Sequence, residues 1–423
     1  MKMLLDGVKT LDDFDASGKR ILLRLDLNSP VDRKTGKIQD GSKIAAATET
    51  LAELLSAGAA VVILAHQGRP GDYDFTSMEE HCRILNGMLG GSVSFAPDIC
   101  SETAIVQITK LGPGRALLLD NVRKLDYEQK KATASEHAGR ELVTALSPHF
   151  DFFVNDAFAA IHRSHCSMTG FTKTLPSAIG RLMEKELRGT SRLLDNPAKP
   201  VVYIFGGKKF SDFLPVLESV CSNEQIESVL LSGYLAIALL AAGGVSIDSA
   251  TELDIASDAD ASFMESASKL LRTSEKIHLP VDMAFERDGK RMEESVRAWP
   301  KDQRALDIGG ATIREYVGTL SGAGTVFISG PAGVYERAGF DTGTRSLFEA
   351  ATAPGKFSMV GGGHTSAAAR ALGFSERFSF ISTGGGALEA LISGKKLPVL
   401  EYLKDSAVMF SSRFTSGKAR PPG

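Results

Sequence analysis

Residues 357–365 read FSMVGGGHT, a short apolar run followed at once by three glycines and a histidine. The run suits a strand that is buried on both faces, and the glycines suit a tight turn into a following helix. Similar apolar runs recur through the chain, with helix-like stretches between them. This alternation is typical of α/β domains built on parallel sheets.

The apolar runs that predict strands fall into two groups. They are Ile21–Leu27, Ala59–Ala65, Ala116–Leu119 and Phe152–Val154 in the first half, and Val201–Phe205, Ser228–Leu231, Thr325–Ile328, Phe357–Val360 and Phe378–Ser382 in the second. Helix-like stretches include Ile44–Ser56, Glu79–Leu89 and Thr344–Ala353. A break with two prolines at residues 196–200 separates the groups. We therefore predict two α/β domains that meet between residues 170 and 200.

The composition excludes several classes of protein. The chain has 423 residues, with 48 Lys and Arg against 51 Asp and Glu, so no strong positive charge points to a nucleic-acid partner. The four cysteines are widely spread and form no C-x-x-C pair, which favours neither a zinc site nor a disulfide framework. The beginning lacks a signal-peptide pattern, and the longest apolar run, Leu235–Ala242, is too short to span a membrane. We expect a cytoplasmic protein without a nucleic-acid or membrane partner.

The residues that follow the first-half strands are basic, imidazole or amide side chains. Ligands of open parallel sheets bind beyond the carboxyl ends of the strands, so these residues are the candidates for a binding site. They are Arg24, Asp26, Asn28, His66, Gln67, Gly68, Arg69, Arg123, His162 and Arg163. Converging guanidinium groups bind carboxylate and phosphate through paired hydrogen bonds. This half is predicted to bind a small anion that carries such groups.

Glycines dominate the corresponding positions of the second half. The turns lie at residues 206–207, 232–233, 329–333, 361–363 and 383–386. Glycine at a strand-to-helix turn allows backbone N–H groups to approach phosphate closely, which predicts a nucleotide. The chain has no G-K-[ST] tripeptide of a Walker-type P-loop and no G-x-S-x-G elbow of a serine hydrolase. A small anion in one half and a nucleotide in the other indicate phosphoryl transfer.

The order of these segments resembles the phosphoglycerate kinase family, and more closely its archaeal branch, from about Lys19 to Leu403. The matching segments are RLDLNSP (24–30), AHQGRP (65–70), LLDNVR (118–123), VNDAFA (154–159), LMEKE (182–186), LPVD (279–282), GPAGVYE (330–336), GGGHT (361–365) and STGGGA (382–387). Each segment is moderately specific, and their order over this length is highly specific.

The resemblance implies two Rossmann-like domains joined by a hinge, with the C-terminal segment packing back on the N-terminal domain. Residues 1–175, with about 400–423, would bind phosphoglycerate, and residues 176–399 would bind the nucleotide. The implied reaction is reversible phosphoryl transfer between ATP and the carboxylate of 3-phosphoglycerate, which gives ADP and 1,3-bisphosphoglycerate in glycolysis and gluconeogenesis. The nucleotide would enter as its Mg2+ complex, without a separate metal site, and the domains would close over both substrates. We expect a monomer, with a dimer as the alternative.

The resemblance also implies roles for single residues. Asp26, Asn28, His66, Arg69, Arg123 and Arg163 would hold 3-phosphoglycerate, with Arg24, Gln67, Gly68 and His162 beside them. The nucleotide would contact Gly207, Lys209, Gly233, Gly330, Glu336, Gly362, Gly363, His364 and Thr365, with Glu336 on the ribose hydroxyls. Lys209 would contact the transferring phosphoryl group. Lys43 and Lys209 are therefore the expected catalytic residues.

Five positions depart from the pattern of the family or of one of its branches. Lys208 stands where alanine is usual, and Phe213 stands where the bacterial and eukaryotic branch, unlike the archaeal one, has a second lysine. Lys43 stands where an arginine typically stabilises the phosphoryl group during its transfer. Lysine keeps the positive charge but lacks the planar guanidinium with its paired N–H donors. Ser329 stands where asparagine is usual. His364 replaces an aspartate that helps to hold the metal in the bacterial and eukaryotic branch, and a neutral imidazole is a poor magnesium ligand.

Two other functions can be compared with the sequence. Lys43 and Ser329 would suit a weakly active or inactive paralogue that still binds phosphoglycerate or nucleotide. A dinucleotide-dependent oxidoreductase is disfavoured, because no G-x-G-x-x-G opens a first strand–helix unit and the arginine cluster would have no purpose.

Overall fold

The computed structural model describes residues 4–208, 210 and 213–414. These residues form two compact units, one made of residues 4–188 and 396–414 and the other of Gly189–Lys395. The domain limits near residues 175 and 400 stay a prediction. In the described ranges, no helix combines the length and the apolar character that a membrane crossing requires.

The strands and helices alternate as expected for an α/β protein. Over the described residues, the strands are β1 (Arg20–Leu25), β2 (Ala60–Leu64), β3 (Val93–Phe95), β4 (Ala116–Leu118), β5 (Phe152–Asp156), β6 (Ser177–Ile179), β7 (Val201–Phe205), β8 (Ser228–Leu231), β9 (Ile277–His278), β10 (Asp282–Arg287), β11 (Lys290–Ser295), β12 (Asp307–Ile308), β13 (Thr325–Ser329), β14 (Phe357–Gly361) and β15 (Phe380–Ile381). The α-helices are α1 (Ser42–Ala46), α2 (Thr48–Ser56), α3 (Glu79–Met88), α4 (Glu102–Lys110), α5 (Ala134–Ala138), α6 (Glu141–Leu146), α7 (Cys166–Thr169), α8 (Arg181–Leu194), α9 (Leu214–Ser222), α10 (Gly233–Ala242), α11 (Ser249–Asp258), α12 (Ala261–Thr273), α13 (Gly310–Ser321), α14 (Thr342–Ala351), α15 (Gly363–Ala371), α16 (Gly385–Ile392) and α17 (Pro398–Met409).

The first unit is built on a parallel sheet in the order β3-β4-β2-β1-β5-β6. Successive residues of β1 enter different cores: Ile21 and Leu23 pack in one, and Leu22 packs in the other. This happens because side chains alternate across a strand. Both faces of the sheet are therefore covered, as the continuous apolar runs predict.

The second unit contains a parallel sheet in the order β15-β14-β13-β7-β8-β9 and a smaller antiparallel sheet in the order β11-β10-β12. The central strands β7 and β13 are almost wholly buried in one continuous core. The antiparallel sheet was not predicted, because β11 reads KRMEES and lacks an apolar run.

The C-terminal helix α17 belongs to the first unit. The Ser177 backbone N–H donates to Ser406 Oγ (3.1 Å), and the Val399 N–H donates to the Ile161 carbonyl (3.4 Å). The predicted fold class, two parallel α/β domains with a C-terminal segment on the N-terminal one, is confirmed.

One predicted helix differs in detail. Residues 44–56 form α1 and α2, which meet at Ala47, rather than one continuous helix. The Thr48 hydroxyl donates to the Ala45 carbonyl (2.6 Å) and so competes with the regular backbone bonding at this point.

Candidate active site

A polar cavity of about 230 Å³ lies beyond the carboxyl ends of four strands of the first sheet. In the sheet, β2 is the neighbour of β1 on one side and β5 is its neighbour on the other. The strand order therefore reverses at β1, and the cavity lies at this point. This is the usual ligand position in an open parallel sheet. The cavity is lined by Asp26, Asn28, Lys43, His66, Gly68, Arg69, Asp72, Asp74, Arg123, Ala159, Ala160 and Arg163.

Three arginines lie around this cavity and repel one another. Burial, together with the charges of Arg24 and Arg163, lowers the pKa of Arg123 to about 10. Burial and the Arg69 charge lower the pKa of Arg163 in the same way. A guanidinium keeps its proton under these conditions, so the repulsion remains until an anion enters. The cavity is therefore suited to a small, multiply charged anion.

Lys43 and Asp26 form an ion pair in the cavity wall, with 3.0 Å between Nζ and Oδ2. Burial would raise the pKa of Asp26, but the Lys43 charge, with hydrogen bonds from Lys43 and the Asn28 N–H, outweighs it and lowers the pKa to about 2. Asp26 is therefore an ionised acceptor. Its Oδ1 already accepts the Asn28 backbone N–H (3.1 Å).

Arg24 lies behind the cavity, where it orients His66. One of its Nη atoms is 3.0 Å from His66 Nδ1. A guanidinium only donates, so Nδ1 must be the acceptor and the imidazole carries its proton on Nε2. Burial and the Arg24 charge also hold the pKa of His66 well below its usual value, so the ring is neutral at pH 7.

A buried chain of hydrogen bonds continues from Arg24 to Glu128. Arg24 Nε donates to Ser167 Oγ (2.9 Å), and that hydroxyl donates to Glu128 Oε1 (2.6 Å). The Ser167 backbone N–H donates to the other carboxylate oxygen of Glu128 (2.9 Å). Arg24 and Glu128 are each 1% exposed, so the carboxylate balances a charge that solvent does not reach.

Three of the predicted substrate residues do not line the cavity. Arg24 is buried as described. Gln67 is fully buried and holds the turn at Ser29, where it accepts from the backbone N–H (2.9 Å) and donates to the carbonyl (3.0 Å). His162 accepts a hydrogen bond from Arg163 Nε (3.0 Å) and faces a neighbouring depression together with His165.

Four polar residues of this region were not predicted as site residues. Glu128 and Ser167 carry no sequence signal, because only the fold brings them to Arg24. Asp72 and Asp74 lie in the segment PGDYD and read as an ordinary polar turn.

In the second unit, the glycine turns after β7, β8 and β13 pack directly on one another. A Cβ atom at Gly206 would lie 2.5 Å from the Pro331 carbonyl oxygen, and one at Gly233 would lie 2.5 Å from the Gly207 nitrogen. Gly330, at φ +96°, lies in the same cluster. These glycines are therefore required for close packing between the turns. Phosphate binding would select glycine at the same positions, so the sequence pattern does not distinguish the two causes.

The turn after β14 leaves more space. Gly362 has φ +88°, and a Cβ atom at Gly363 would meet nothing within 4 Å. Helix α15 begins at Gly363, and the N–H groups of a first helical turn have no acceptor within the helix. Thr365 connects this turn to the turn that follows β13, because its Oγ1 accepts a hydrogen bond from the Gly330 N–H (2.6 Å). This turn is the best candidate for direct contact with phosphate.

The remaining predicted nucleotide residues lie around these turns. Gly207 follows β7 at φ +86°, whereas Glu336 and His364 are exposed after β13 and β14. Lys209 lies outside the described residues, so its predicted role stays a prediction.

Comparisons with known proteins agree with this geometry. The family model described as phosphoglycerate kinase matches residues 11–395. The phosphoglycerate kinase of Methanothermobacter thermautotrophicus is 42% identical over 94% of this chain and 97% of its own length. That of Methanosarcina mazei is 43% identical over 93% of this chain and 94% of its own.

Solved structures show the same relationship. The crystal structure of phosphoglycerate kinase from Pyrococcus horikoshii OT3 superposes with a TM-score of 0.88 at 34% identity, covering 95% of this chain and all of that one. The structure of the Coxiella burnetii phosphoglycerate kinase gives 0.79 at 30% identity over the same shares. The chain is a kinase, and it belongs to the phosphoglycerate kinase family.

Proposed function

We propose that 3-phosphoglycerate binds in the 230 Å³ cavity of the first unit and that ATP or ADP binds at the glycine turns of the second. The reaction of the family is the reversible transfer of a phosphoryl group between these substrates. The observation that carries the proposal is the group of mutually repelling arginines around the cavity, because a phosphate and a carboxylate on one small molecule would neutralise them.

The cavity also suits the rest of the substrate. The ionised Asp26 can accept a hydrogen bond from the substrate hydroxyl, and the fixed Nε2–H of His66 can donate one. The nucleophile is a carboxylate, whose reference pKa near 4 leaves it ionised at neutral pH. No side chain has to remove a proton from it. Catalysis then rests on positioning and on positive charge at the transferring group.

The test is a coupled assay of ATP-dependent phosphorylation of 3-phosphoglycerate, with the wild type and Lys209→Ala in parallel. We expect the wild type to be much faster than the variant, because Lys209 is proposed to meet the transferring phosphoryl group. Equal rates would refute the role of Lys209. A wild type without turnover would favour the inactive paralogue.

The Lys43→Arg variant should have a higher kcat than the wild type. The Lys43 ammonium is held by Asp26, whereas a guanidinium could keep that ion pair and still direct further N–H groups at the phosphoryl group. One added hydrogen bond in the transition state is worth roughly 1–3 kcal/mol, so we expect an increase of about fivefold or more. Steady-state kinetics measure it, with Lys173→Arg on an exposed ion pair as the control. An unchanged or lower kcat would show that lysine is fully adequate here.

We propose that Mg2+ enters with the nucleotide. Among the described residues, no group of three or more His, Cys, Asp or Glu side chains could hold a metal ion. The exposed His364 is a poor magnesium ligand as an imidazole. Coordination would then come from the phosphates and water.

The His364→Asp variant tests this arrangement. An added carboxylate next to the phosphates should lower the half-saturating Mg2+ concentration at fixed, subsaturating ATP by about three- to tenfold. Metal titrations of the activity measure it, with His149→Asp in the first unit as the control. An unchanged midpoint would show that position 364 does not face the ion.

The remaining expectations stay proposals. A cytoplasmic monomer that closes its two domains over both substrates would fit the family reaction, since closure excludes water from the transfer step.

A further inference from the structure

The loop between β13 and α14, residues 330–341, carries Glu336 and is held at its base by the small antiparallel sheet. The Val334 N–H donates to the Leu306 carbonyl (2.8 Å), immediately before β12. The Gly343 N–H, just after the loop, donates to Asp307 Oδ2 (2.8 Å). At Gly333, a Cβ atom would lie 2.6 Å from Asp307 Cγ, so the absence of a side chain lets the loop pass against this carboxylate.

Arg291, on β11, joins the sheet to the far end of the loop. Its Nη1 donates both to Asp307 Oδ2 and to the Gly339 carbonyl, each at 2.9 Å. Its Nη2 donates to the Ile308 carbonyl (2.7 Å). One planar guanidinium therefore bonds a buried carboxylate, a strand and the loop at the same time, through two nitrogens held apart in a fixed fork, whereas a lysine offers its donors from one compact nitrogen.

The part of the loop that reaches outward depends on such an anchor. Residues 336–339 are all exposed, whereas Phe340 is buried below the loop and lies 5.9 Å from the Arg291 guanidinium. Glu336 itself projects from this exposed stretch. The next residue, Arg337, pairs with Glu286 of β10, so the position of Glu336 is set by this ion pair together with the two ends of the loop.

We infer that Arg291 is a positioning residue for the nucleotide: through Asp307 and Gly339 it holds the 330–341 loop so that Glu336 is presented to the ribose hydroxyls. This inference rests on the proposed role of Glu336. Arg291 touches no substrate in this account. By holding the loop in place beforehand, Arg291 lowers the conformational entropy that is lost when the nucleotide binds.

The experiment compares Arg291→Met, Arg291→Lys, Glu336→Gln and a control, Arg377→Met. Arg377 is a suitable control, because it also pairs with a carboxylate, Glu349, and lies over the ring of Phe374, but it does not reach the loop. Steady-state kinetics give KM for ATP and for 3-phosphoglycerate, and thermal unfolding reports the stability of each variant.

For Arg291→Met we expect KM for ATP to rise about tenfold, KM for 3-phosphoglycerate to stay within about twofold, and kcat at saturation to fall by less than about threefold. Arg291→Lys keeps a charge beside Asp307, so its unfolding temperature should lie closer to that of the wild type, while KM for ATP stays raised several-fold. Arg377→Met should leave both KM values unchanged.

The outcomes separate the two proposals. If Glu336→Gln raises KM for ATP and neither Arg291 variant does, the inference about Arg291 is wrong and the role of Glu336 stands. If Glu336→Gln leaves KM for ATP unchanged, the proposed role of Glu336 is wrong and the inference fails with it. Equal rises of KM for both substrates in the Arg291 variants would indicate general structural damage and would also overturn the inference.

Discussion

Replacing Arg163 with glutamine is expected to lower kcat/KM for 3-phosphoglycerate by about 100- to 1000-fold, which corresponds to about 3–4 kcal/mol of lost transition-state stabilisation. The guanidinium lines the cavity, where Arg69 repels it and Asp26 attracts it, and we expect the substrate anion to be its main partner. Charge-assisted, paired hydrogen bonds to carboxylate or phosphate are among the strongest that a side chain can make.

The stability of Arg163→Gln should change little, because the side chain is only partly buried and donates to one neighbouring histidine. We expect the unfolding free energy to stay within about 0.5–1 kcal/mol of the wild type. Arg83→Gln, which removes the same charge from an exposed ion pair on α3, should leave kcat/KM unchanged. A loss below tenfold in Arg163→Gln, or an equal loss in Arg83→Gln, would contradict the proposed anion site.

The sequence predicted the residues that line this cavity better than it predicted the buried residues that hold Arg24 behind them. Asp26, His66, Arg69, Arg123 and Arg163 each follow a recognisable strand, and the carboxyl ends of parallel strands meet at one edge of the sheet. The support could not be predicted, because Glu128 in a turn and Ser167 in the short helix α7 lie far from Arg24 in the chain. Only the packed fold shows that Arg24 faces inward.

The Arg24→Met variant should lose about 3–5 kcal/mol of unfolding free energy, because removal of one member of a buried charge pair leaves the other without compensation. Glu128 is 1% exposed and would keep only Ser167 as a partner. Burial already raises the pKa of Glu128, so the variant would take up a proton there on folding. Urea unfolding at pH 7 measures the loss.

A second substitution tests the cause. Arg24→Met combined with Glu128→Gln removes the carboxyl group that the single variant must bury either charged or at the cost of taking up a proton, so the double variant should recover most of the lost stability. It should still bind 3-phosphoglycerate more weakly than the wild type, because His66 Nδ1 has lost the donor that fixes the ring. A double variant no more stable than the single one would show that packing, rather than charge, explains the loss.

The fold was predictable where burial imposes a continuous apolar run, as in Val201–Phe205, which is a strand over the same residues. It was not predictable in short or half-exposed strands. Strands β3 (VSF) and β6 (SAI) are short and each contains a serine, so they lack the continuous apolar run that predicted the equally short β4. Strand β11 is a mainly exposed, charged strand whose pairing depends on β10. The role inferred for Arg291 follows from this unpredicted sheet.

The glycine turns show the same limit. The chain contains 42 glycines, and those at the strand-to-helix turns of the second half were expected to face phosphate. Gly206 and Gly233 are needed because backbone atoms of neighbouring turns come so close, whereas Gly362, Gly363 and Gly385 leave room for a ligand in the way first expected. Sequence alone cannot distinguish the two causes, because both select the same residue at the same kind of turn.

The central proposal is that 3-phosphoglycerate binds in the cavity of the first unit. Calorimetric titration of 3-phosphoglycerate into the nucleotide-free chain tests this directly. We predict one binding site per chain, loss of measurable binding in the Arg69→Gln/Arg163→Gln double variant, and unchanged binding in Glu336→Gln, whose substitution lies in the other unit. Wild-type affinity in the double arginine variant would contradict the account, because 3-phosphoglycerate would then bind outside the cavity at the strand ends of the first sheet.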